Sequence, residues 1–177
     1  MDQTEARATL RVLVSVALAD GRLDIDEKRL LDVVAHYEYE DDDPPPSRFE
    51  SSQELERALA QIHSEEGKRI TWSGALAIAC VDEGCSPEEH ALLVRIHAKL
   101  LPDEPFPEIA AAEEKYDQAF EGIREEVAEA TAEFLHRVGD GAKSGKLPPR
   151  DYDKLASELA KTKRELYARA LAIPPPR

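Results

Sequence analysis

The residues of this 177-residue chain best placed to do chemistry are acidic and fall in two short runs. Asp20, Asp24 and Glu27 lie in ALADGRLDIDEKRLL (17–31), and Asp82 and Glu89 lie in ACVDEGCSPEEHALL (79–93). Carboxylates gathered at one turn are hard oxygen ligands, suited to Ca²⁺, Mg²⁺ or Mn²⁺ rather than to soft metals. The same residues also have a plain structural use. Asp24 and Ser86 stand where a helix N-cap belongs, and Glu27 and Glu89, three residues on, complete a capping box. Asp20-Gly21 is a turn signal, and a cap contributes about 1 kcal/mol without any ion. An EF-hand is excluded. With Asp20, Gly21, Asp24 and Glu27 at the fifth, sixth, ninth and twelfth loop positions, the first and third fall on Val16 and Leu18, which offer no oxygen ligand.

Other chemistries have less to stand on. His90 and His97 are seven residues apart on one helical face, near Cys80 and Cys85, but no HExxH or paired CxxC accompanies them, so zinc is not expected. The cysteine spacing is not that of a redox dithiol either, and a reducing cytosol is the simple reading. No Gly-x-Ser-x-Gly or phosphate loop is present, and GAKSGK (141–146) resembles one only superficially. Trp72 is expected in the core rather than in a ligand platform. The chain is read as having no catalytic constellation.

The elements that must carry the acidic runs are helical. Gly is scarce, and Ala, Leu, Glu, Lys and Arg dominate outside Pro-rich junctions, with no convincing strand. A first helix is expected over about 4–19, apolar nearly all round in VLVSVALA (12–19). This run lacks a positive leader and is too short to span a bilayer, so it is read as a buried helix and not a signal peptide. A second helix follows Asp24, and EYEDDDPPP (38–46) ends it as a linker. Ser51 with Glu54 opens a short amphipathic helix. The apolar pattern then returns in ITWSGALAIACV (70–81), followed by a helix opened by Ser86-Pro87. At an offset of 62 the two halves match: Ala17 with Ala79, Asp20 with Asp82, Asp24 with Ser86, Glu27 with Glu89, Leu30 and Leu31 with Leu92 and Leu93, and Val34 with Ile96. That is an internal repeat, and its two apolar helices bury each other most easily about a pseudo-two-fold axis.

Past Pro102–Pro107 the pattern changes to two long one-faced helices. Tyr116, Phe120, Ile123, Val127, Thr131, Phe134 and Val138 mark one, and Tyr152, Leu155, Leu159, Thr162, Leu166, Ala170 and Ile173 the other. An antiparallel hairpin is expected. Charge divides along the same line. The net charge is −14, but residues 139–177 hold nine Lys and Arg against five Asp and Glu, leaving −18 on the first 138. So acidic a surface argues against nucleic acid and favours basic proteins or divalent cations as partners.

The repeated DGxxxxxE motif between helices, in ALADGRLDIDEKRLL and its degenerate copy ACVDEGCSPEEHALL, resembles the tellurite-resistance TerB family over residues from about 5 to 101. The second copy departs from the motif, with Glu83 in place of Gly and Ser86 in place of the Asp of the first, so it keeps fewer ligands. The resemblance implies an all-α bundle of two helix-turn-helix repeats (1–103) with a C-terminal helical hairpin (104–177) as an extension. It implies divalent-cation binding through Asp20, Asp24, Glu27, Asp82 and Glu89, and membership of cytoplasmic stress-response or defence assemblies. The same fold resembles the N-terminal module of a membrane-anchored DnaJ-like co-chaperone.

The leading expectation is therefore a noncatalytic, cytoplasmic interaction module that binds other proteins, without nucleic acid and without insertion into a membrane. Two other readings stay open: a metal-assisted enzyme subunit using the Asp and Glu motif, and a structural protein that forms a homo-oligomer through its hairpin.

Overall fold

The computed structural model describes residues 1–38, 49, 51–81, 84–143 and 148–174. Most of the 38–46 linker, the Asp82-Glu83 turn and the end of the GAKSGK stretch lie outside the described residues. Among those described, the fold is all-helical: α1 (Gln3–Ala17), α2 (Ile25–Glu38), α3 (Ser52–Gln61), α4 (Glu65–Ala79), α5 (Pro87–Leu100), α6 (Ile109–Lys143) and α7 (Pro149–Leu171). No described helix is long and apolar enough to cross a membrane.

Helices α1 and α4 are the centre. Leu10, Val12, Leu13 and Val16 of α1 and Ala75, Leu76, Ala77 and Ile78 of α4 are fully buried. In the second half of each helix, 12–17 and 74–79, side chains on every side are withdrawn from water, whereas the first halves keep an exposed side at Thr4 and Arg7 and at Glu66 and Arg69. Gly74 allows the close approach, since a Cβ there would meet the Leu13 methyls at 3.1 and 3.2 Å. Trp72 is buried, as read from its position in the apolar run.

The 62-residue offset seen in the sequence reappears in the helix boundaries. Adding 62 to the ends of α1 and α2, residues 3, 17, 25 and 38, gives 65, 79, 87 and 100, the ends of α4 and α5. The N-caps Asp2 and Ser64 and the C-caps Leu18 and Cys80 are also 62 apart. Residues so related meet across the α1–α4 contact. The Thr9 and Thr71 hydroxyls are 2.8 Å apart, and Thr71 donates to the Gly67 carbonyl, which leaves Thr9 as donor to Thr71.

One turn away, Glu5 faces Gly67, and here the two sides differ. Glu5 is buried, and one of its oxygens takes the Asp2 amide at 3.2 Å as a capping-box bond for α1. The other accepts the His63 and Ser64 amides at 2.8 and 2.6 Å, at the start of α4. A single carboxylate thus satisfies otherwise orphaned amides of two helices. A Cβ at Gly67 would sit 2.9 Å from Ser64 Oγ and 3.2 Å from the Glu5 carboxylate, so glycine leaves the room that Glu5 fills.

Helices α6 and α7 lie along each other in opposite directions: Tyr116 reaches the Ile173 carbonyl, Phe120 packs on Tyr167, and Phe134 packs on Tyr152. Their near halves join the same core as α1–α5, through Ala112, Tyr116, Phe120, Ile123 and Val127 of α6 and Tyr167 and Ala170 of α7. Beyond Val127 no described α6 residue is buried, and none is in α7 before Tyr167. The apolar stripe continues, but only as a two-helix arm without a third layer. At 35 residues α6 is roughly 52 Å long, more than twice the length of any helix in the centre.

Replacing Gly67 with Ala should destabilise the fold by about 1–2 kcal/mol, because the methyl displaces Ser64 and Glu5. Gly122→Ala in α6, where a Cβ meets nothing within 4 Å, should instead stabilise by about 0.5–1 kcal/mol. Urea unfolding of the two variants, opposite in sign, checks both.

Candidate functional site

The structure brings the acidic motif residues to the turn between α1 and α2 and to the start of α5, where they serve the backbone. Asp20 is exposed and accepts the Arg22 amide at 2.8 Å, across Gly21 at φ 82°. Asp24 accepts the Asp26 amide at 2.8 Å, while Glu27, buried, reaches back to the Asp24 amide at 2.6 Å. In α5 the pair is reciprocal: Ser86 Oγ accepts the Glu89 amide at 3.2 Å and Glu89 accepts the Ser86 amide at 2.7 Å. Asp82 lies outside the described residues. Among the described residues, the acidic and His ligand atoms that converge are those of Asp2, Glu5 and His63, not those of the motif. The Asp2 and Glu5 carboxylates are already bonded to helix amides.

A charged cluster the sequence did not single out lies one residue from the motif pair. Asp26, in the first turn of α2, is buried. Its carboxylate accepts the Tyr167 hydroxyl of α7 at 2.5 Å, Arg124 Nε of α6 at 2.7 Å and Arg29 Nη1 at 3.1 Å. Arg29 also donates to the Tyr167 hydroxyl at 2.7 Å, and Arg124 donates to the Val81 carbonyl past the end of α4 at 2.8 Å. Three helices thus meet at one carboxylate, and Arg124 links them to the backbone two residues past the end of α4. Burial alone would raise the Asp26 carboxyl, but the Tyr167 hydroxyl and the Arg124 and Arg29 guanidinium groups hold it below its usual value. Burial and the Asp26 charge push Tyr167 up to about 12. The cluster is an anchor for α6 and α7 whose acceptors are fully occupied. Local signals could not reveal it, because Asp26 is bonded to residues 98 and 141 positions away.

Glu5 is held down to about 2, first by the Ser64 amide and further by the His63 and Asp2 amides, against the cost of its burial. The Asp2-x-x-Glu5 spacing is the local signal that could have revealed its capping role. On the other side of the centre, Phe106 packs edge-on against His90 and His97, and it tilts against Trp72. An aromatic ring therefore lies against both imidazoles that the sequence sets on one face. Burial pushes His97 below its ordinary value of 6.5, opposed by Glu104 and the Pro105 backbone.

Open volume is modest. A cavity of about 400 Å³ lies between the end of α1, the start of α3 and the start of α5, lined by Leu18, Ala19, Leu55, Glu88 and Leu92 among others. A shallower groove follows the arm, with Val127, Ala128, Thr131 and Leu135 as floor and Arg29, Arg124 and Lys163 at its edge. Compared with known protein families, curated proteins and solved structures, the chain matches none.

Asp26→Asn should lower stability by about 2 kcal/mol, and a double-mutant cycle with Tyr167→Phe should show coupling of about 1 kcal/mol or more, measured by urea unfolding. The pH dependence has two windows. His97 has a lowered pKa in the fold, so the unfolded chain takes the proton first, and stability falls as pH drops below 6.5. His97→Phe should flatten that part of a melting-temperature profile. Glu5 and Asp26 have lowered carboxyl values, so their contributions are intact above the ordinary carboxylate range and are lost as pH falls through it, for Glu5 toward about 2.

Proposed function

We propose that this chain is a noncatalytic interaction module of the TerB-like kind, working in a stress-response or defence assembly in the cytoplasm. On this reading α1–α2 and α4–α5 are two copies of one helix pair about a pseudo-two-fold axis. The α6–α7 hairpin extends that core and presents a surface to other proteins. The observation that carries the reading is the unfinished arm. Beyond the last buried residue of α6, Val127, the arm carries Leu135 at 61% exposure and, packed on Phe134, Tyr152 of α7 at 45%. Exposed apolar side chains on a two-helix element without a third layer offer other proteins a surface to bury. The shared 62-residue offset of helix boundaries and caps supports the repeat.

A divalent cation belongs to the proposal as a structural element near Asp20, whose exposed carboxylate stands closest to water of the described motif residues. Asp24, Glu27 and Glu89 already contribute by holding the helix starts.

A photo-crosslinking residue at Leu135 or Tyr152 should give discrete adducts in the cells that make the protein, while the same residue at exposed Lys99 should not. Equal or absent labelling at all three positions would sink the proposal. For the cation, chelator-treated protein melted with Mg²⁺, Ca²⁺ or Mn²⁺ should gain roughly 2.7 kcal/mol at about a hundred times the dissociation constant, several degrees in midpoint. That gain should shrink in Asp20→Asn combined with Asp82→Asn. A wild-type midpoint indifferent to all three ions removes the cation from the reading.

A further inference from the structure

Arg124 shows how this fold holds a guanidinium group. It lies between the Asp26 carboxylate, in the first turn of a helix, and the Val81 carbonyl, just past the end of another. Shifting both acceptors by the 62-residue offset, 26 + 62 and 81 − 62, leads to Glu88 and Ala19. These two residues line the same cavity, the one of about 400 Å³ between α1, α3 and α5. Glu88 is in the first turn of α5, and Ala19 lies two residues past the end of α1. The acid is one methylene longer, but the pairing of a first-turn carboxylate with a helix C-terminal end is the same.

What differs is the covering. Over Asp26 lie α6 and α7, and the carboxylate is buried. Over Glu88, among the described residues, lie Phe49 and the start of α3, and the carboxylate is exposed, with no ion pair among the described residues. Arg95 at the cavity wall is bonded to Glu56 at 3.2 Å and to Ser52 of the same wall, not to Glu88. The remaining wall mixes apolar side chains, Leu18, Leu55, Leu92 and Phe49, with the serines Ser15, Ser51 and Ser52.

We propose that this cavity receives an arginine from an amphipathic basic helix of another protein. Glu88 and the end of α1 hold its guanidinium as Asp26 and Val81 hold that of Arg124, and the leucines take the apolar residues one turn away. Three properties favour this occupant. The negative end of the α1 dipole and a free carboxylate converge on one opening. A planar guanidinium suits a carboxylate better than an ammonium does. The first 138 residues carry −18, which draws basic helices in. The inference rests on reading the chain as a protein-binding module and names one site and one partner chemistry for it.

The test uses the full chain and a fluorescein-labelled helical peptide, rich in Ala and Lys, with one central Arg and a Leu one turn to either side, followed by fluorescence anisotropy. Binding is expected. Glu88→Gln should weaken it roughly tenfold, citrulline in place of the peptide arginine should weaken it equally, and the two changes together should cost little more than either alone. Ala91→Trp, which fills the cavity from α5, should weaken binding at least as much, and Glu88→Gln should leave the melting midpoint unchanged because the side chain is exposed. Absence of binding overturns the proposal. So does binding indifferent to Glu88 and to citrulline, which is what general attraction between a basic peptide and an acidic chain produces. If this fails while crosslinks at Leu135 and Tyr152 persist, the cavity is lost as a site and the module reading stands.

Discussion

Two helices whose second halves are apolar all round cannot face water there, and the rest of this structure follows from how α1 and α4 bury each other. Gly74 lets them approach, and the matched threonines Thr9 and Thr71 satisfy one another at the contact. Such a pair still leaves outward faces to be covered. Helices α2 and α5 cover part, α3 lies against α1, and α7 closes over α2 and α4, with α6 packed along α7 and tied to α2 through Arg124. The buried polar groups are those that tie these layers to the centre. Glu5 spans the starts of α1 and α4, and Asp26 joins α2 to α6 and α7. Among the described residues no buried side-chain polar atom lacks a partner.

What could be read in advance was what depends on neighbours in the sequence. The caps at Asp24 and Ser86, with Glu27 and Glu89 reaching back, are set by a three-residue spacing and a helix start, and both have that geometry. The all-helical class and the burial of Trp72 follow from composition and periodicity. The anchor at Asp26 was hidden, because DIDE reads as an acidic first turn and says nothing of Tyr167 or Arg124. Nor could His90 and His97 show that Phe106, from a proline-rich connection, would pack against them. The α6 stripe was legible along its whole length, yet periodicity alone could not tell that its far half would have only α7 to lie against.

The acidic motif illustrates how one spacing serves two chemistries. A carboxylate that accepts backbone amides at a helix start is poised, by the same charge and position, to attract a cation, and only the number of lone pairs left over separates the uses. Glu27 and Glu89 are buried and bonded to the residue that opens their helix, so they are spoken for first by the fold. Asp20 and Glu88, both exposed, are where charge is left for something else.

The contact of Glu5 with Gly67 sets a limit on how this architecture can be taken apart. The two residues hold matching places in the helix pairs, one with a carboxylate and the other with no side chain at all. An assembly of two identical copies of the first pair would bring two glutamates into the space of one, and two copies of the second would leave the helix starts without their acceptor. The two helix starts are therefore like left and right hands of one joint, not interchangeable at this contact.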